Sequence, residues 1–210
     1  MVFASGHSIF WRLTDEVGEE DDLVSIVLSN AGRQEIAEVE IETDITSPPI
    51  ENNSQSEYPM DIEWDRGDLD LFVTLLRNSL DTTGGLEGIE QIELDLTDES
   101  VLRIMHIVAA ARFSVPYTAD DIIKQPSTNC GGSVQFQMGE QISLDTIDGF
   151  KPAVIVSLDE DISCVLLDQI TAPSGDNIQL DQHDLLVVRK EWALPGDLTT
   201  TQPGASDIIH

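Results

Sequence analysis

The chain is poor in basic residues. Ten Lys and Arg stand against 40 Asp and Glu in 210 residues, a formal net charge of −30. The lysines are Lys124, Lys151 and Lys190. Backbone binding to nucleic acid needs Lys and Arg to neutralise phosphates, so direct nucleic-acid contact is not expected. Cysteine is scarce too. Cys130 and Cys164 stand alone, with no C-x-x-C spacing, which gives neither a disulfide framework nor a zinc signature. No run of 18 apolar residues occurs, so no membrane-spanning helix is expected. The start, MVFASGHSIFWRL, lacks the basic region and long apolar stretch of a signal peptide. There is no phosphate loop, no G-x-G-x-x-G and no G-x-S-x-G. Gly84-Gly85-Leu86-Glu87-Gly88 leads into an expected strand, not a helix, so it cannot cradle phosphate.

What remains is acidity without hydrophobic poverty. At 40% hydrophobic the chain can bury a core, unlike disordered acidic chains. The acids are spread along the whole chain and occupy the polar phase of expected strands: Glu38, Glu40 and Glu42, then Glu93 and Asp95. So large a charge repels itself in dilute buffer. In molar salt the Debye length falls to about 3 Å and the repulsion is screened. This composition resembles proteins of halophilic archaea and of the viruses that infect them. The resemblance implies solvent cations as the main small partners.

Ser100 to Phe113, SVLRIMHIVAAARF, is apolar almost all round, which predicts a buried helix. Thr97 is its expected cap, with Asp98 and Glu99 favourable at its positive end. We expect it to be a core plug between β-rich halves, with Arg103 and His106 leading to an edge or a subunit contact. A second helix is predicted over Asp68 to Leu80, with an apolar stripe of Leu69, Phe72, Val73, Leu76 and Leu80, capped by Asp65 or Asp68.

Alternation predicts strands at His7–Thr14, Leu23–Ser29, Glu35–Ile45 and Ile89–Leu96. Thr46 to Met60, with its three prolines, reads as a loop. A short helical turn is expected at Thr118–Lys124. Six more strands follow at Ser133–Met138, Gln141–Leu144, Ala153–Leu158, Ser163–Asp168, Asn177–Leu180 and Leu185–Trp192. The expected class is β-dominated α+β: an antiparallel sandwich or jelly-roll-like barrel of about ten strands with two inserted helices. Residues 1–194 are expected to form one domain with a helical insertion at about 66–125, and 195–210 an extended arm. An α+β part over 1–125 followed by a small barrel over 130–194 fits the same pattern.

Few residues suggest chemistry. Asp181, His183 and Asp184 alternate carboxylate with imidazole and are weak candidates for metal, although Asp is common in turns such as the one expected there. Asp159-Glu160-Asp161 lacks the glycine and trailing Glu of a calcium loop and reads as a solvated hairpin tip. Cys130, beside Gly131-Gly132, has the look of a nucleophile but no assignable base. Cys164 reads as a small buried residue. His106 has no identifiable catalytic partner. No cofactor, metal or catalytic residue is therefore assigned.

Two likenesses remain. Ile92 to Lys124, about 33 residues, runs strand, Thr97 cap, helix, break and second helix, and resembles the ribbon-helix-helix DNA-binding family. That family's strand offers polar or basic side chains to DNA; here the outward positions are Glu93 and Asp95, and Phe113-Ser114-Val115-Pro116-Tyr117 replaces the Gly-rich turn. The order of elements along the whole chain resembles single jelly-roll coat proteins. That resemblance implies a non-enzymatic structural protein of a halophilic archaeal virus, a capsid or other virion component. It would assemble with itself and with other virion proteins. Trp11, Tyr58, Trp64, Trp192, Ile208 and Ile209 are the candidate interface anchors. A ligand-binding or regulatory module in the cytoplasm of a halophilic archaeon is the alternative.

Overall fold

A computed structural model describes residues 7–15, 21–30, 38–49, 59–81, 96–118, 122–124, 135–171 and 179–196. The chain divides into two compact units, Met1–Pro116 and Tyr117–His210.

In the first unit β1 (His7–Asp15), β2 (Asp22–Asn30), β3 (Glu38–Ser47) and β4 (Met60–Glu63) form an antiparallel sheet in the order β3-β2-β1-β4. Alternation sorts the side chains between its two faces. Ile9, Trp11 and Leu13 of β1 and Val24 and Ile26 of β2 are buried on the inner face. Helices α1 (Arg66–Asp81) and α2 (Glu99–Phe113) belong to that face. The outer face carries Arg12 among Glu40, Glu42, Asp61 and Glu63.

The register between β2 and β3 slips between Leu23 and Ser25, where β3 carries extra residues between Glu42 and Thr46. The Thr43 hydroxyl fills the gap: it donates to the Val24 carbonyl at 2.6 Å and accepts from the Ile45 amide at 3.2 Å. Three residues opposite one keep the phase of the strand, so Ile45 falls on the same side as Val39; Ile45 is buried while Val39 is 46% exposed.

Helix α1 begins earlier than the apolar stripe suggests. Asp65 and Asp68 form a reciprocal cap: Asp65 Oδ1 accepts from the Asp68 amide at 3.0 Å, and Asp68 Oδ2 from the Asp65 amide at 3.0 Å. Helix α2 occupies the expected span, but its N-cap is Asp98 rather than Thr97. Asp98 has extended backbone, and its Oδ1 accepts from the Ser100 amide at 2.8 Å and from the Ser100 hydroxyl at 2.6 Å. Both residue types cap well; Asp98 directly precedes the first helical residue, and its charge suits the helix N-terminus. Seven of the helix residues are buried, from Val101 to Ala110, while Arg103 is exposed and Leu102 and His106 are half-buried.

In the second unit β5 (Tyr117–Thr118), β6 (Gln141–Thr146), β7 (Gly149–Leu158), β8 (Ile162–Leu166), β11 (Leu185–Val188) and β12 (Ala193–Pro195) form a mixed sheet in the order β12-β6-β7-β8-β11-β5. Only the β11–β5 pair is parallel. β9 (Ile170–Thr171) and β10 (Gln179–Leu180) form a separate two-stranded ribbon. The core gathers Ile142, Leu144, Ile155, Ile162, Leu166 and Leu186 with Trp192. The opposite face of the central strands is buried as well, through Ser143, Val154 and Val165.

The β-dominated α+β class expected from sequence is the observed one, with antiparallel and mixed sheets; neither large sheet closes into a barrel among the described residues. Several element assignments change. Gln135–Gln137, expected in a strand, has no regular structure, and Thr118, expected to open a helical turn, is in a strand with Tyr117. Leu185–Trp192 is not one strand: β11 stops at Val188, a 3₁₀ turn covers Lys190–Trp192, and β12 follows to pair with β6. The hairpin turns at Asp148-Gly149 and Asp159–Asp161 stand where expected, Gly149 having φ of +98°. At the end of β12 a Cβ on Gly196 would lie 2.5 Å from the Gln141 carbonyl oxygen, so this close approach needs glycine. The expected strand at 89–95 and the arm from 197 onward lie outside the described residues, as does the Gly84–Gly88 stretch.

Candidate functional site

A dense polar constellation of the first unit lies on the outer face of its sheet. Arg12 of β1 stands opposite Asp61 of β4 and Ser25 of β2. Its guanidinium takes the Asp61 carboxylate in a fork, Nε to Oδ1 at 2.8 Å and Nη2 to Oδ2 at 2.9 Å. It also reaches over β2 to Glu40 at 3.2 Å and Glu38 at 3.6 Å. The hydrogen bond to Asp61 is the main reason the Arg12 pKa lies above its ordinary value and that of Asp61 below. One cation thus ties β1, β3 and β4 across the sheet. The side chains of Glu38, Glu40 and Asp61 stay between 41% and 46% exposed, which keeps the exposed-pair contribution to about 1 kcal/mol or less each.

On the inner face the rings of Trp11 and Trp64 stack at 4.8 Å. Phe113 meets Trp11 edge-on at 5.3 Å, and Phe72 meets Trp64 at 5.6 Å. The Trp11 indole donates to Asp68 Oδ2 at 3.0 Å, so the carboxylate that caps α1 also anchors the buried indole. Asp65 accepts from Arg112 of α2 at 2.8 Å. The Asp68 amide, then Arg112, hold the Asp65 carboxyl below its usual range. These groups join strand, cap and helix. His106 of α2 lies 3.0 Å from Asp44, the exposed residue inside the β3 bulge.

In the second unit Asp181, His183 and Asp184 occupy the turn before β11. Backbone geometry accounts for much of their chemistry. The Asp184 carboxylate accepts from the Asp181 amide at 2.8 Å, and Asp181 Oδ1 from Gln179 Nε2 at 2.9 Å. His183 has φ of 75°, a left-handed position where Asn, Asp and His are enriched. Its amide donates to the Leu166 carbonyl at 2.9 Å, and the Leu166 amide returns a bond to the Asp184 carbonyl at 3.0 Å. The alternation of acid and imidazole marks a turn stitched to β8. Its carboxylates serve amides there.

Lys151 bridges Asp148 at 3.3 Å and Asp168 at 3.0 Å. Burial works against its charge, but the two carboxylates outweigh that and raise its pKa. Lys190 donates to the Asp159 carbonyl at the β7–β8 hairpin tip, and Arg189 lies 4.9 Å over the Trp192 ring. The tip residues Asp159, Glu160 and Asp161 are exposed, as a solvated hairpin end requires. Cys164 is fully buried, and burial pushes its thiol up to about 12, which makes it a packing residue.

Of the expected interface anchors, Trp11 is fully buried, and Trp64 and Trp192 are 8% and 5% exposed. A side chain packed inside its own unit offers little area to a partner, so these three are core residues; aromatic content alone does not separate core from surface. Tyr58, Ile208, Ile209 and Cys130 lie outside the described residues. The large apolar side chains that are exposed include Val39, Val115, Tyr117 and Phe150. Sequence reasoning missed them. Val39 sits in the apolar phase of its strand, where alternation predicts burial.

No protein family, curated protein or solved structure matches this chain.

Proposed function

We propose that this chain is a non-enzymatic structural protein that works in multimolar salt, a capsid or other virion component of a halophilic archaeal virus acting through self-assembly and protein–protein contacts. The observation that carries the reading is the outer face of the first sheet. Glu38, Glu40, Glu42, Asp61 and Glu63 surround one arginine on a surface backed by an apolar core. Such a face repels itself in dilute buffer and is tolerated where the Debye length is a few ångströms. The directed polar contacts support a structural role. Arg12, Asp65, Asp68 and Lys151 each join one element of the chain to another.

Two measurements test the reading. Far-ultraviolet circular dichroism in dilute buffer is expected to show loss of structure that molar KCl restores; a stable fold without salt overturns the halophilic part. Sedimentation in multimolar KCl is expected to show self-association that rises with concentration. A protein that stays monomeric at high concentration overturns the assembly part.

A further inference from the structure

We infer that the stretch Glu38–Glu42 at the edge of the first sheet is a self-pairing strand, which joins a second copy of this chain in antiparallel register when salt is high. The inference rests on the self-assembly reading and gives it a surface.

Strand β3 is the terminal strand of its sheet among the described residues. A strand in that place presents a row of N–H and C=O groups, which proteins usually guard with lysine, proline, a bulge or a very short strand. Here the β3 bulge lies beyond Glu42, so Glu38 to Glu42 is regular. That stretch contains neither proline nor lysine. Val39 is 46% exposed, although its strand phase is the apolar one, and Ile41 is half-buried.

The sequence of the stretch is complementary to itself. A two-fold axis through Glu40 puts Val39 opposite Ile41 of the second copy, and Ile41 opposite its Val39. That makes two β-branched cross-strand pairs on one face. On the other face Glu40 meets Glu40 and Glu38 meets Glu42. Like charges in direct opposition disfavour pairing, and this is the guard the edge does have. Two features weaken it. Arg12 draws Glu38 and Glu40 inward over β2, away from the edge. Molar salt screens what charge is left. The edge is thus closed in dilute buffer and open in brine.

The test uses the full chain in multimolar KCl with Cys130→Ser as background. Sedimentation equilibrium is expected to show a dimer that Val39→Asp weakens roughly tenfold or more, the circular dichroism spectrum being unchanged. Glu40→Gln is expected to bring dimerisation to lower salt. Glu40→Cys is expected to form a disulfide dimer under mild oxidation, because residue 40 faces itself across the axis, whereas Glu38→Cys is not. A protein monomeric in all salts overturns both this inference and the assembly reading. An oligomer that keeps its affinity in Val39→Asp, or that cross-links equally at 38 and 40, overturns the β3 register and leaves assembly standing through another surface.

Discussion

The two units are held together by different means. The first is built on aromatic rings tied by directed polar bonds: Trp11 stacks on Trp64, meets Phe113 and donates to Asp68, which also caps α1. The second is built on interlocked aliphatic side chains with a single tryptophan among them. Their cations differ as well. All the arginines except Arg189 fall in the first unit and all three lysines in the second. Arginine's planar fork suits a many-partner tie such as that of Arg12, while Lys151 acts as a point charge between two carboxylates. In a chain so poor in cations, Arg12, Arg112, Lys151 and Lys190 each join separate elements.

The sharpest way to break the comparison is truncation on each side. Trp11→Ala removes the stack, an edge contact and a hydrogen-bond donor. It is expected to cost about 3–5 kcal/mol, and Leu166→Ala in the second unit about 2–5 kcal/mol. Urea unfolding in molar KCl, followed by amide exchange of β1–β4 and of β6–β8, measures both. Conservative swaps then separate the two kinds of core. Leu166→Met keeps volume and is expected to cost below about 1.5 kcal/mol. Trp11→Phe keeps an aromatic ring but leaves the buried Asp68 carboxylate one donor short, and is expected to cost more. Equal costs would show that the first core is no more directional than the second.

A smaller effect is expected from the polar cap alone. Asp68→Ala leaves the Trp11 indole and the Asp65 amide without their acceptor, for a cost of about 1–3 kcal/mol. Acid titration probes the same region. Asp61 and Asp65 have pKa values below the ordinary 3.8, so the stability they contribute is present above that value and is lost as pH falls through the lower folded ones. Lys151 has the opposite sign. Its pKa is above 10.5, so its contribution is present below that value and is lost as pH rises through the folded one. The acid limb is therefore expected to belong to the first unit and the alkaline limb to the second. Asp65→Asn should flatten the urea-midpoint profile on the acid side and Lys151→Met on the alkaline side. A profile unchanged by either variant would dissolve the distinction.

The same contrast decides how much was legible in the sequence. Where a strand has one wet face, as in β1 and β3, alternation located it within a few residues. It also named the outward glutamates. Where strands are buried on both faces, as in β7 and β8, periodicity located the strands but could not say where a run changes direction. Leu185 to Trp192 is apolar enough for one strand, yet the chain turns after Val188 and Trp192 enters the core from a 3₁₀ turn. The Asp65 and Asp68 caps were readable because a cap is a local contact. The Trp11–Asp68 bond spans 57 positions, and no local pattern announces it. The β3 bulge was equally silent. Alternation puts Val39 and Ile45 in the same phase, yet Ile45 is buried and Val39 is not. Asp181, His183 and Asp184 are ambiguous in sequence because turn-forming residues and metal-binding residues share the same chemistry.

The smallest expected effect has the opposite sign from the others. Ser143 on β6 is fully buried, on the face of the sheet opposite Ile142 and Leu144, with Pro152 and Leu194 as its cross-strand neighbours. Among the described residues its hydroxyl is without a hydrogen-bond partner. A buried hydroxyl that bonds nothing carries its desolvation cost without return. Ser143→Ala removes the oxygen and leaves only a small void, so stability is expected to rise by up to about 1 kcal/mol. Any loss of stability, read as a lower urea midpoint in molar KCl with unchanged cooperativity, would mean that the hydroxyl is held by a partner. The aliphatic unit would then share the directed bonding that sets the aromatic unit apart.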